Sequence, residues 1–150
     1  MKHKNFIIGG IIFLLVVGAV FLLSRFADHA EITYLDQKID VLVADNPIEQ
    51  QKGLSGTKLE SLDADGMLFI FKEKEERTFW MHNMNYNLDV IWLADKKIVK
   101  IDRDVEAPKD GEEPEYMRSN PMEVDMVLEL PAGKAAEYDF LIGASIEVKR

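Results

Sequence analysis

Seven short apolar segments recur between residues 38 and 148, each three to eight residues long and bounded by turn residues or charge clusters. Beyond the N-terminal 30 residues, no stretch keeps a helical period for more than about two turns. Residues 38–44 alternate, with Ile39, Val41 and Val43 on one face and Lys38 and Asp40 on the other. Residues 123–130 alternate strictly, turning Val124, Met126, Leu128 and Leu130 inward. Residues 98–103 direct Val99 and Ile101 inward, and residues 146–148 supply a last strand. Residues 67–71 are apolar on both faces, as a central strand is; residues 77–81 are apolar on alternate positions of both faces, and residues 89–93 form an apolar strand headed by Asp89. This spacing predicts an all-β domain with minor α: a compact β-sandwich or barrel of about seven strands. Two short helices belong at its edges. One starts at Asn46 as cap, with Pro47 and Glu49 in the first turn and Gly53 closing it. The other follows the turn Pro131-Ala132-Gly133.

The N-terminus sets an address. Residues 6–23 are 18 consecutive positions without a charge, roughly 27 Å as a helix and close to the ~30 Å hydrocarbon core. Lys2 and Lys4 precede the run, so the positive-inside bias keeps the N-terminus in the cytoplasm and sends the rest outward. No A-x-A cleavage site follows, and there is no cysteine to lipidate. The expected organisation is a cytoplasmic stub at 1–5, a transmembrane signal anchor (or signal peptide) at 6–23, a tether at 24–36, and an exported β domain at 37–150. Residues 1–30 carry Lys2, Lys4 and Arg25 against Asp28, a balance of +2, so the remainder of a chain at −9 stands at −11. So acidic a domain repels phosphate backbones and excludes nucleic acid as a partner. The expected contact is the cytoplasmic membrane through residues 6–23, together with an unidentified envelope ligand or protein partner.

Candidate chemistry concentrates in residues 77–93, R-T-F-W-M-H-N-M-N-Y-N-L-D-V-I-W-L. Both tryptophans lie here, with three asparagines within six positions. Trp80, Trp92, Phe69, Phe71 and Phe79 read as core. Strand alternation, however, gives Thr78, Trp80 and His82 a common face, which as a groove would offer aromatic and amide groups to a sugar or peptide. Asp89 heads an otherwise apolar strand and must be solvated or hydrogen-bonded. It either accepts backbone N–H groups and fixes the turn, or contacts a ligand, with Asn83, Asn85 and Asn87 orienting it and Arg77 pairing with it. The binding candidates are Trp80, His82, Asn83, Asn85, Asp89 and Arg77. No G-x-S-x-G motif accompanies His82, and one histidine is too few for an ordinary zinc shell. The acids of residues 102–115 do not match a calcium loop and read as a solvated, mobile segment. Neither cofactor nor metal is expected.

The ordered pieces resemble a family of uncharacterised proteins, domain of unknown function 192. The resemblance covers residues 37–148. It rests on V-L-V-A-D-N-P-I-E-Q-Q-K-G-L, D-G-M-L-F-I-F, T-F-W-M-H-N-M-N-Y-N-L-D-V-I-W-L, V-L-E-L-P-A-G-K-A and I-G-A-S-I-E-V. It implies a compact, mainly β domain, often behind an export signal, and brings no established activity. The family commonly reads F-W-M-K-N-T and then P-L-D, so Trp80, Met81, Asn83, Leu88 and Asp89 carry over, whereas His82, Met84 and Asn87 depart from the pattern. Ser55 stands where methionine is usual. The expected role is a binding or accessory module of the cell envelope. One alternative is an envelope hydrolase using Asp89 and a second carboxylate, with Asp65 and Glu123 as the sequence candidates. The other is a structural subunit of an envelope complex.

Overall fold

The computed structural model describes residues 28–150, so the expected membrane span at 6–23 lies outside the described residues. The elements are β1 His29–Tyr34, β2 Gln37–Ala44, α1 Pro47–Lys52, a 3-10 turn Leu59–Ser61, β3 Gly66–Glu75, β4 Thr78–Trp80, β5 Leu88–Ala94, β6 Lys97–Val105, β7 Tyr116–Arg118, β8 Val124–Pro131, α2 Lys134–Glu137 and β9 Glu147–Lys149. Seven strands form one sheet in the order β6-β5-β8-β3-β2-β1-β9, and β4 and β7 pair separately. Only β2–β3 is parallel among the pairings within the main sheet. Its chain reversal is made through α1, where Asn46 Oδ1 accepts the Glu49 N–H at 3.1 Å and Gly53 ends the helix at φ 50°.

The domain is mainly β with two short helices, as expected. The main sheet curls into a half-barrel, and its far edges are joined through the segment before β9. Ala144 O accepts the Ile98 N–H at 2.8 Å, and Lys96 O accepts the Ile146 N–H at 2.9 Å. Two strands lie where none was expected. Residues 29–34, inside the stretch read as a tether, form β1, because Ala30, Ile32 and Tyr34 alternate inward against β2. Residues 116–118 of the long acidic loop form β7. Residues 77–81 yield only the three-residue β4, which joins β7 and not the main sheet.

Both faces of the main sheet are covered, which accounts for the segments that are apolar throughout. Ile39, Val41, Leu68, Ile91, Leu128 and Leu130 pack on one side with Ala135 of α2 and Phe140. Phe69, Val90, Trp92 and Val127 pack on the other with Met81, Met84 and Met117. Phe79 fastens the small sheet to this second side, meeting Phe69 and Trp92 edge-on at centroid distances of 4.8 and 5.5 Å. Trp92 is wholly buried, and its indole N–H donates to Asp102 Oδ2 at 2.7 Å. Each such large buried apolar side chain contributes about 1.5–3 kcal/mol.

At Gly66 the backbone of β8 lies close against β3. A Cβ there would lie 2.2 Å from the Glu129 carbonyl oxygen and 2.7 Å from Leu130 Cδ2. Gly66→Ala is therefore expected to cost about 3 kcal/mol, the upper end of ordinary overpacking. Urea denaturation checks this, and a loss within ~0.5 kcal/mol would mean that the strands part freely.

Candidate functional site

Strand alternation in β4 sends Phe79 into the core and Trp80 out. Trp80 pairs across the small sheet with Tyr116, and the two are 47% and 53% exposed. The Trp80 indole stacks on the His82 imidazole at 4.7 Å and 24°, with the Tyr116 ring 6.0 Å away. The result is a continuous exposed aromatic face, of the kind that takes a ligand by stacking. Of the two tryptophans expected in the core, Trp92 is there and Trp80 is not. Beside this face runs a groove of about 550 Å³, walled by residues 100–105 of β6 and 115–118 on the β7 side. That volume lies in the ~300–1,000 Å³ range of small-ligand clefts.

The asparagine corner behind the face is bound into the fold. Asn83 sits in the left-handed region at φ 55°, and its carbonyl accepts the Gly56 N–H at 2.8 Å. Asn85 Nδ2 donates to Thr57 O at 2.8 Å, and the His82 carbonyl accepts the Ser55 hydroxyl at 2.8 Å. Asn87 holds the far side: its amide donates to Asp104 Oδ1 at 2.9 Å and accepts the Ala107 N–H at 3.0 Å. These contacts join three loops, while the exposed Asn83 side-chain amide and Asn85 Oδ1 make no hydrogen bond within the described residues.

Asp89 is buried at 1% exposure, and both its oxygens are engaged. Oδ1 accepts the Asp104 N–H at 2.9 Å, and Oδ2 accepts the Ala135 N–H at 2.8 Å. Arg77 does not reach it. The guanidinium lies over the Phe71 ring at 3.5 Å, with Nη1 2.7 Å from Glu75 Oε1 and Nη2 donating to the Glu73 carbonyl. Burial lowers the Arg77 pKa, and the Glu75 charge opposes that shift. Of the six candidates, Trp80 and His82 thus share a surface, Asn83 and Asn85 brace the corner behind it, Asp89 lies under the sheet end, and Arg77 belongs to a separate contact. The acids of residues 102–115 are dispersed, and no cluster of three or more His, Cys, Asp or Glu able to hold a metal occurs among the described residues.

One residue was not foreseen. Glu129 occupies the β8 face opposite Leu128 and Leu130, between Met67 and Val90 on the neighbouring strands, and is 5% exposed. No hydrogen bond from the described residues reaches its carboxyl group. The fully enclosed side-chain polar atom without a partner among them is Arg77 Nε. Desolvation pushes its pKa up to about 8. Tyr86, within electrostatic reach, has its own pKa raised by burial first, with the Thr57 hydrogen bond opposing and the Glu129 charge adding. The available signal was a single acid inside a strand flanked on both sides by doubly apolar strands, where neither face can be solvated throughout.

With this geometry in hand, the relatives can be placed. Residues 30–148 match the model of the family DUF192, described as an uncharacterized ACR. The chain belongs to that family. Among solved structures it is similar to a Sinorhizobium meliloti protein provisionally called a transcription regulator, with 26% identity over 80% of this chain and 92% of that one and a TM-score of 0.65. It is also similar to a Novosphingobium aromaticivorans protein of unknown function, with 26% identity over 79% and 83% and a TM-score of 0.60. No curated protein matches it. Of the five DUF192 positions that carry over, Met81, Leu88 and Asp89 are buried and Asn83 shapes a turn. Trp80 is 47% exposed, and it presents its ring on the open face of the small sheet.

Two predictions follow from these carboxylates. In Asp89→Asn one oxygen becomes an NH₂ facing a backbone N–H, so about 2–3 kcal/mol of stability should be lost. Chemical denaturation tests this, and a near-neutral change would show that the two N–H groups find other partners. Glu129 has a folded pKa above the ordinary glutamate value of 4.5, so the native state holds its proton more tightly than the unfolded chain does. Its contribution is therefore full below about pH 4.5 and is lost as pH rises toward about 8, by up to ~4 kcal/mol. Glu129→Gln should remove that slope, and parallel wild-type and variant curves across this window would contradict the assignment.

Proposed function

We propose that the chain is a binding or accessory module held outside the cytoplasmic membrane by residues 6–23, presenting the Trp80–His82–Tyr116 face and its adjoining groove to a cell-envelope ligand. One observation carries the reading: the exposed large aromatic side chains of the described residues, Trp80 and Tyr116, lie side by side, with His82 stacked on Trp80, at the border of a groove between two strands. The anchor rests on the uncharged run and on Lys2 and Lys4 before it. The transcription-regulator description of the Sinorhizobium protein is not carried over, since a domain at −11 opposes DNA.

The hydrolase alternative does not use Asp89, whose oxygens both serve backbone N–H groups. What favours an acid–base reading at all is Glu129, an acid of the raised pKa that proton donors near neutral pH have. Asp89 cannot be its partner. Asp89 pairs with Leu130 and Val90 pairs with Glu129, so the two acids point to opposite faces of the sheet.

The test is co-sedimentation of the full chain, held in detergent micelles, with cell-wall fractions freed of membrane by detergent extraction. Trp80→Ala and Tyr116→Ala should each weaken retention by about tenfold or more, while stability changes by less than ~1 kcal/mol. Retention unchanged in both folded variants would remove this face from the function. A loss of several kcal/mol on Trp80→Ala would return the indole to the core.

A further inference from the structure

We infer that the groove between β6 and β7 takes an extended peptide as an added strand. This rests on the binding-module reading and names its ligand class. β6 is the end strand of the main sheet, and the segment of residues 143–146 covers only its beginning, at Lys96–Ile98. β7 pairs with β4 alone, so its other side is also an open edge. The two open edges face one another across about 550 Å³.

The walls are runs of consecutive residues, 100–105 on one side and 115–118 on the other. Successive side chains in a strand point to opposite faces, so a groove lined by every residue of a run looks onto the strand's backbone edge and not onto one of its faces. Six residues of β6 extend about 20 Å at ~3.3 Å per residue, the reach of a short peptide strand. One bond already crosses the gap: Lys100 Nζ donates to the Arg118 carbonyl at 2.7 Å. A side-chain ammonium there does what the N–H of an intervening strand would do. β7 stands opposite this edge, in the way of the broad edge-to-edge pairing of a second copy. Both charge signs line it (Lys100 and Arg118, Asp104 and Glu115), while Tyr116 leads to Trp80 and His82 at its border. Main-chain pairing would supply affinity, and this aromatic border would select side chains.

The experiment uses the full chain in detergent micelles. A random heptapeptide library is panned against it, and an enriched sequence is synthesised both with free amides and with alternate amides N-methylated. Hydrogen–deuterium exchange reads the outcome. The free peptide should slow exchange in residues 99–105 and 116–118 about tenfold or more. N-methylation should weaken binding about tenfold or more, since it deletes the ladder donors. An enriched peptide that protects the groove yet tolerates N-methylation overturns strand addition and leaves the binding face standing. So does a chitin oligosaccharide that protects this face when no peptide does. If neither probe slows exchange on this face, the strand proposal and the binding reading fall together.

Discussion

A single buried carboxylate ties together the end of the molecule where the candidate site lies. Asp89 opens β5, and the register of β5 against β6 slips at that point, Leu88 facing Val105 and Val90 facing Asp102. The extra residue on β6 includes Asp104 at φ 50°, a bulge position whose N–H leaves the ladder. Asp89 Oδ1 receives that N–H. Its other oxygen receives the Ala135 N–H near the start of α2, whose own cap, Gly133, has no side chain to offer. One carboxylate therefore satisfies two backbone donors that the local chain cannot, and a buried charge is stable here only because both are supplied. Asn87, two residues earlier, extends the knot by bonding Asp104, Ala107 and Ala132. Together they set the direction in which the chain leaves β6 toward β7.

The position of the groove follows from that knot. The bulge at Asp104 lies one residue before the end of β6, the chain is held again at Ala107, and it returns as β7 against β4. Phe79 and Met117 then press the small sheet onto Phe69 and Trp92, while the alternate residues Trp80 and Tyr116 are left outside. The exposed aromatic pair is the geometric complement of the buried one: a two-stranded sheet on a core has one wet face. Function, in this account, uses what the packing leaves over.

What could be read from the sequence was whatever is decided within a few residues. The α1 cap was legible because Asn46 and Glu49 meet within one turn, and β3 was legible as a central strand because its apolar residues fill both parities. The strand β1 was missed because the alternation of Ala30, Ile32 and Tyr34 is brief and sits among polar residues. Trp80 and Trp92 could not be told apart, since which face of a three-residue strand meets the core depends on a partner, β7, hidden in an acidic loop. Glu129 was passed over for a similar reason. A lone acid in an alternating strand looks solvent-facing until the strands on either side are known to be covered twice.

The most direct test of this account is native-state hydrogen exchange at two backbone amides, Asp104 and Ala135, followed at rising denaturant. If the Asp89 carboxylate holds this end together, both N–H groups should open only with global unfolding, despite lying beside loops and at the start of a four-residue helix. Exchange of either one through local opening, at a free energy well below the global value, would show that the fold and its groove do not depend on Asp89.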